Sequence, residues 1–256
     1  MAKTKKSDSS NQTNKQTSQK TEGRPKGSPP PSQVRDWYNI IPASFKPKYW
    51  NPSIKNHGMN VPFRSIIIGA SGGGKTQLIL DIIHRFQDTF GLIVLCVKLA
   101  SEPLYEFLRS KIPPESIEIY ENGEIPPIEK YQDEDTQILM ICDDLVNEKS
   151  CQKEIAEYYI RGRKIAKGIS LIYATQMYYA VPKMIRVQYN YIFLKKLMSM
   201  RDLTMILKDF SLDLDKFDLL NIYNYATNDP KGFLMVDVDN SKENRFRSGF
   251  LDVIKI

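Results

Sequence analysis

The octet Gly69-Ala70-Ser71-Gly72-Gly73-Gly74-Lys75-Thr76 follows the apolar run Ser65-Ile66-Ile67-Ile68 without a break and leads through Gln77 into Leu78-Ile79-Leu80-Asp81-Ile82-Ile83. A strand-length apolar run, a glycine-rich turn and a helical pattern in succession leave little choice of architecture. The turn must close a buried strand and open a helix. The spacing G-x-x-x-x-G-K-[ST] then defines the chemistry. Glycines let backbone N–H groups converge on a phosphate chain, and the helix N-terminus adds the positive end of its dipole. A lysine here reaches the β- and γ-phosphates, and the next hydroxyl can ligate Mg²⁺. Residues 69–77 are therefore the expected cradle for a nucleoside triphosphate with Mg²⁺, with Lys75 on the phosphates and Thr76 on the metal.

The remaining chain alternates strands with helices. The first strand, 65–69, and its helix, 75–88, are followed by apolar runs at 91–97, 137–144, 169–174 and 191–194. Such continuous runs mark strands buried on both faces of a parallel sheet. A short strand is expected at 116–120, and a final pair at 232–239 and 246–253. Helices are expected at 102–111, 149–160, 200–209 and 213–226, and a Pro- and acid-rich loop at 122–135. Met198, Met200 and Met205 with Leu203, Ile206 and Leu207 have near-helical spacing and read as core. The expected fold class is α/β, with a mainly parallel central sheet covered by helices on both sides.

A chain of 256 residues is long enough for one large α/β domain plus a tail. The formal charge of +6 belongs entirely to residues 1–35, which carry eight basic and two acidic side chains. Residues 1–33 are dominated by Lys, Ser, Thr, Gln, Asn, Gly and Pro, a composition expected to be disordered. This tail reads either as a basic arm for nucleic acid or an acidic partner, or as a solubilising leader. Residues 34–60, with Trp37, Tyr38, Phe45, Tyr49 and Trp50 among prolines, read as an extended aromatic segment laid on the domain or as a docking peptide. The domain that holds the phosphate loop is assigned to 61–256. Cys96, Cys142 and Cys151 form no C-x-x-C pair and read as structural thiols. His57 and His84, the only histidines, are too far apart in sequence to suggest a zinc site. No apolar run has membrane-spanning length and residues 1–20 have no signal-peptide core, so a soluble intracellular protein is expected.

Asp143 and Asp144 end an apolar strand, where a carboxylate can hold the metal opposite Thr76. Asp143 takes that role and Asp144 is placed to polarise the attacking water; the competing reading is an acidic turn. Thr175-Gln176 closes the next strand, so in a parallel sheet Gln176 emerges on the same edge as the phosphate loop and can contact the γ-phosphate or the water.

That order of motifs carries a resemblance. Gly162-Arg163-Lys164 followed by Gly168-Ile169-Ser170-Leu171-Ile172-Tyr173-Ala174-Thr175-Gln176 resembles the segment of FtsK/HerA-type DNA-pumping ATPases in which a Gly-Ile strand ends in Ala-Thr-Gln. The small size, the Asp-Asp ending and Pro182-Lys183-Met184-Ile185-Arg186 are similar to the poxvirus-type genome-packaging ATPases. The resemblance covers roughly residues 61–200. It implies a P-loop NTPase of the additional-strand, RecA-like type and ATP hydrolysis coupled to double-stranded DNA translocation. It also implies a homo-oligomeric ring, commonly of six subunits, and a viral setting in host cytoplasm, viral factory or virion, with a capsid partner. An arginine finger supplied across the subunit interface is implied as well, with Arg163 preferred and Arg161 as the other candidate. The bland reading of both arginines is a solvated helix end. Lys183, Arg186, Lys195, Lys196 and Arg201 are candidates to face DNA phosphates in a pore. Two other readings remain at this stage: a P-loop kinase of a small acceptor, and a nucleotide-gated module that binds DNA or capsid.

Overall fold

The computed structural model describes residues 34–197, 199–209 and 214–255, except for the side chain of Leu207. The basic tail, Met198 and the Leu207 side chain from the methionine-leucine stripe thus lie outside the described residues. The chain divides into two compact units at Lys46/Pro47. In the first, Asp36 caps a single helical turn, α1 (Trp37–Ile40), by accepting from the Asn39 N–H at 3.2 Å, and a 3₁₀ turn follows at Ala43–Phe45.

The second unit opens with another short turn, α2 (Ile54–His57). Segment 34–60, extended by its composition, thus makes three short helical turns between extended residues. The strands follow as β1 (Arg64–Ile68), β2 (Leu92–Val97), β3 (Ile117–Tyr120), β4 (Ile138–Asp143), β5 (Ile169–Thr175), β6 (Tyr191–Leu194), β7 (Leu234–Asp237), β8 (Phe246–Ser248) and β9 (Asp252–Val253). Between them lie α3 (Lys75–Arg85), α4 (Pro103–Lys111), α5 (Gln152–Arg161), α6 (Lys183–Arg186), α7 (Met200–Asp209) and α8 (Lys216–Ala226). All nine described strands join one sheet in the order β3-β2-β4-β5-β1-β6-β7-β8-β9. The six from β3 to β6 are parallel, and β7 to β9 extend the sheet antiparallel. The mainly parallel sheet expected from the apolar runs is present.

Alternation along the parallel strands divides the core between the two sheet faces. Ile66, Val94, Met140, Leu171 and Ile192 pack with α5, α7 and α8 through Ile155, Tyr159, Leu203, Ile206 and Tyr223. Ile67, Leu95, Ile141, Ala174 and Phe193 face the other way, onto Leu78, Ile79 and Ile82 of α3 and Tyr105 and Leu108 of α4. Every residue of β2, β4 and β5 is buried, as a strand covered on both sides requires.

Several boundaries shift by a few residues, and three differences have a local cause. Helix α3 stops at Arg85 rather than 88, and Asp88 adopts a left-handed φ of 59° that ends any continuation. The helix expected from 149 starts at Gln152 after a 3₁₀ turn at Lys149–Cys151. The expected last strand, 246–253, is broken into the β8-β9 hairpin, with Gly249 at φ 69° in the turn.

Candidate functional site

β1 delivers the glycine-rich loop at the carboxyl edge of the sheet, between β5 and β6. The Gly69 N–H donates to the Thr175 carbonyl at 3.2 Å, and the Ala70 N–H to the Lys196 carbonyl at 3.1 Å. Gly74 is the N-cap of α3 at φ 78°, a conformation unfavourable to side-chain-bearing residues. No side chain caps this end and no acid lies in its first turn, so the orphan N–H groups remain available to an anion. The Lys75 ammonium folds back over the loop and donates to the Gly69 and Ala70 carbonyls at 3.2 and 3.1 Å. A cleft of about 220 Å³ is lined by Gly72, Gly74, Lys75, Thr76, Gln77, Glu102 and Leu104. A larger cleft of about 630 Å³ beside β3 includes none of the phosphate-loop residues.

Asp143 ends β4 on the face that carries α3 and α4, and is 7 % exposed. Its Oδ2 accepts from the Tyr105 hydroxyl at 2.6 Å, while Oδ1 is buried without a hydrogen-bond partner. Burial pushes its carboxyl up to about 6, against the pull of Tyr105 and the Lys75 ammonium. Thr76 stands close enough to Tyr105 for its hydroxyl to oppose the rise that burial gives the phenol's pKa. Thr76, Asp143 and Lys75 are therefore brought together at one sheet edge. An unsatisfied carboxylate oxygen near a hydroxyl is a hard oxygen donor set that fits Mg²⁺.

Asp144 follows at φ 57°, and its N–H donates to the Ala174 carbonyl at 3.1 Å. Gln176 is exposed just beyond β5, next to the Thr175 carbonyl that holds the phosphate loop. Arg161 and Arg163 are not brought to this edge. Arg163 lies close enough to Arg64, the first residue of β1, for their charges to interact. The phosphate loop leaves the other end of that strand, about 13 Å away. Arg163 is exposed and makes no ion pair among the described residues, whereas Arg161 is held by Glu129 at 2.8 Å and Glu157 at 3.6 Å.

Three residues near the site carried no recognisable motif. Glu102 enters the cleft from the loop before α4, Tyr105 reaches Asp143 from α4, and Lys195 packs beneath the loop. A Cβ on Gly69 would sit 2.9 Å from the Lys195 Cβ, which requires glycine there. Lys195 is 3 % exposed, donates to the Lys231 carbonyl at 3.0 Å, and has its pKa lowered by burial. Arg186 pairs with Asp209 at 2.9 Å and lies over Tyr178. Neither is free to line a pore. Of the five candidates for DNA contact, Lys183, Lys196 and Arg201 are exposed.

β5 stands between the phosphate-loop strand β1 and the aspartate strand β4. That order, with a glycine-rich loop and an acid at the carboxyl edge, defines a P-loop NTPase of the additional-strand type. The profile of the family described as Poxvirus A32 protein matches residues 54–245. The chain belongs to that family, in agreement with the resemblance carried by the Ala-Thr-Gln strand. No curated protein sequence matches it. Among solved structures, it is similar to the genome packaging NTPase B204 from Sulfolobus turreted icosahedral virus 2 in complex with ATP-gammaS, at 17 % identity and TM-score 0.51, covering 71 % of this chain and 95 % of that one. B204, the DNA-packaging ATPase from Sulfolobus turreted icosahedral virus, matches at 19 % identity and TM-score 0.50, with the same coverage. EssC (ATPases 2 and 3) from Geobacillus thermodenitrificans matches at 12 % identity and TM-score 0.50, covering 70 % of this chain and 38 % of that one. At these identities the structural likeness concerns the fold. Among the described residues, no helix is long and apolar enough to cross a membrane.

Proposed function

We infer that this protein is an ATP-driven translocase of double-stranded DNA that packages a viral genome into its capsid. The observation that carries the reading is β5: its Thr175-Gln176 end is placed between the phosphate loop and the Asp143-Asp144 turn, within a chain of the Poxvirus A32 family. The similar B204 structures are of genome packaging NTPases, one of them in complex with ATP-gammaS.

The loop N–H groups of residues 71, 72 and 74–76 and the Lys75 ammonium hold the β- and γ-phosphates, and Lys75 exchanges its two carbonyl partners for phosphate oxygens as nucleotide enters. Thr76 and the free Oδ1 of Asp143 hold Mg²⁺, which when bound neutralises charge on the phosphates. Asp144 orients the attacking water, and Gln176 contacts the γ-phosphate or that water. Arg163, remote from the phosphate loop of its own subunit and free of acidic partners among the described residues, is supplied to a neighbour in a homo-oligomeric ring. Exposed Lys183, Lys196 and Arg201 face the duplex.

The test is phosphate release by purified protein with and without duplex DNA and capsid. The reading expects DNA-stimulated hydrolysis and a fall of about 10²-fold or more in Lys75→Ala. Absence of hydrolysis under every condition, or an unchanged rate in Lys75→Ala, overturns it. A phosphorylated small acceptor in place of free phosphate would instead indicate a kinase.

A further inference from the structure

We propose that Tyr105 is the positioning residue for the metal, a phenol that fixes the Asp143 ligand from the core side. The inference deepens the ATPase reading above and rests on it. Tyr105 is 1 % exposed and belongs to the core cluster formed by Leu78, Ile79, Leu139 and Ile141, so its ring is locked by packing on both α3 and the sheet. From there its hydroxyl donates to Asp143 Oδ2 at 2.6 Å, with the Thr76 hydroxyl close enough to act on it. Asp143 and Thr76, the two side chains that the metal needs, thus both lie within the electrostatic reach of one phenol, each on a different element.

The arrangement divides the Asp143 carboxylate into two roles. Oδ2 is engaged by the phenol, and Oδ1, buried with no partner, is the oxygen offered to a cation. A carboxylate without this bond can rotate about its terminal torsion, which is broad and roughly two-fold, and can offer the metal either oxygen in a range of orientations. Metal sites commonly depend on such outer partners, whose loss costs about 10–100-fold in metal affinity or activity. A buried tyrosine at this place also needs a hydrogen-bond acceptor, so packing and metal positioning are met by one contact. The geometry excludes a simple plug: the ring belongs to the core, and its bond to Oδ2 leaves Oδ1 clear.

The experiment uses the full chain and the isosteric Tyr105→Phe, with thermal melting to verify folding. Binding of a fluorescent ATP analogue is measured without divalent metal, and Mn²⁺ binding to the protein–ATPγS complex is followed by electron paramagnetic resonance. The expected result is metal-free nucleotide affinity within about twofold of the native chain and Mn²⁺ affinity weakened about 10-fold or more. In hydrolysis, the Mg²⁺ concentration giving half-maximal rate rises correspondingly. Unchanged Mn²⁺ affinity overturns the proposal, and tighter Mn²⁺ binding overturns it in favour of a plug. Equal weakening of metal-free nucleotide binding also overturns it, because the phenol would then serve the loop rather than the metal. Should Tyr105→Phe melt early, its folded form is measured at low temperature beside Leu108→Ala, a core variant of the same helix that keeps the phenol: loss of Mn²⁺ affinity in Tyr105→Phe alone supports the proposal, and equal loss in both overturns it. A native chain that binds neither nucleotide nor Mn²⁺–nucleotide overturns the ATPase reading together with this one. A native chain that binds both while Tyr105→Phe binds equally well overturns only the inference about Tyr105.

Discussion

Replacing Asp143 with asparagine should make the metal-free protein more stable while disabling it. The side chain is 7 % exposed, one oxygen has no partner, and burial holds the carboxyl at about 6 instead of the usual 3.8. The folded-state pKa is raised, so the carboxyl's favourable contribution is complete only below pH 3.8 and is lost as pH rises through about 6. Above that range the ionised group costs the fold about 3 kcal/mol at most. The substituted amide has the same shape, carries no charge and still accepts from Tyr105. Asp143→Asn should therefore melt several degrees higher than the native chain at pH 8, given roughly 2–4 °C per kcal/mol for a domain of this size. The advantage should shrink to roughly half at pH 5 and vanish below pH 4. Differential scanning calorimetry without metal or nucleotide at pH 8 and pH 5 measures it. Added Mg²⁺ and ATPγS should stabilise the native chain more than the variant, reversing the order. A variant no more stable than native at pH 8, or one whose gain is the same at both pH values, would refute the reasoning.

Other expectations can be checked in the same preparations. Asp144→Asn should lower kcat about 10²-fold while Glu102→Gln changes it less than about threefold; the opposite outcome would move water activation to the residue that lines the cleft. Arg163→Ala should reduce hydrolysis about 10³-fold with nucleotide binding intact, and Arg161→Ala, whose guanidinium is held by Glu129 and Glu157, only slightly. Mixing Arg163→Ala with Lys75→Ala subunits should restore part of the rate, and no restoration would argue against a finger supplied in trans. His57 is fully buried and stacked on Phe86 at 3.6 Å, and burial, helped by Arg85, lowers its pKa to about 4. Its folded pKa is depressed, so its contribution is present above about 6.5 and lost as pH falls through 4, an acid sensitivity of about 3 kcal/mol that urea titrations should find reduced in His57→Leu.

The parallel half of the sheet was legible because its strands are continuous apolar runs and its turns carry motifs with fixed spacing. Asp143 was legible for the same reason, since a carboxylate that ends such a run has few structural uses. The short helical turns at 37–40 and 54–57 were not, because one turn is too short to show a 3.6-residue period. The break after Ser248 was hidden because the strand-forming residues Phe246, Phe250 and Val253 run on past it, and only the left-handed Gly249 splits them. Tyr105 and Glu102 could not be read, because their contacts with the site depend on how α4 packs across the sheet, a tertiary fact with no local signature. Lys195 and Arg186 look like surface cations in sequence. Their burial follows from a carbonyl and an aspartate more than twenty residues away.

Consecutive carbonyls of β5 hold two functional turns: Ala174 binds the Asp144 amide and Thr175 binds the Gly69 amide, with Gln176 next in line. Catalytic alignment is therefore inherited from one stretch of main chain. A proline or a one-residue slip near Ala174 would silence hydrolysis while leaving every motif spelled correctly. Relatives with intact signatures but a disrupted fifth strand should accordingly be poor motors, a form of inactivation invisible to any inventory of reacting side chains.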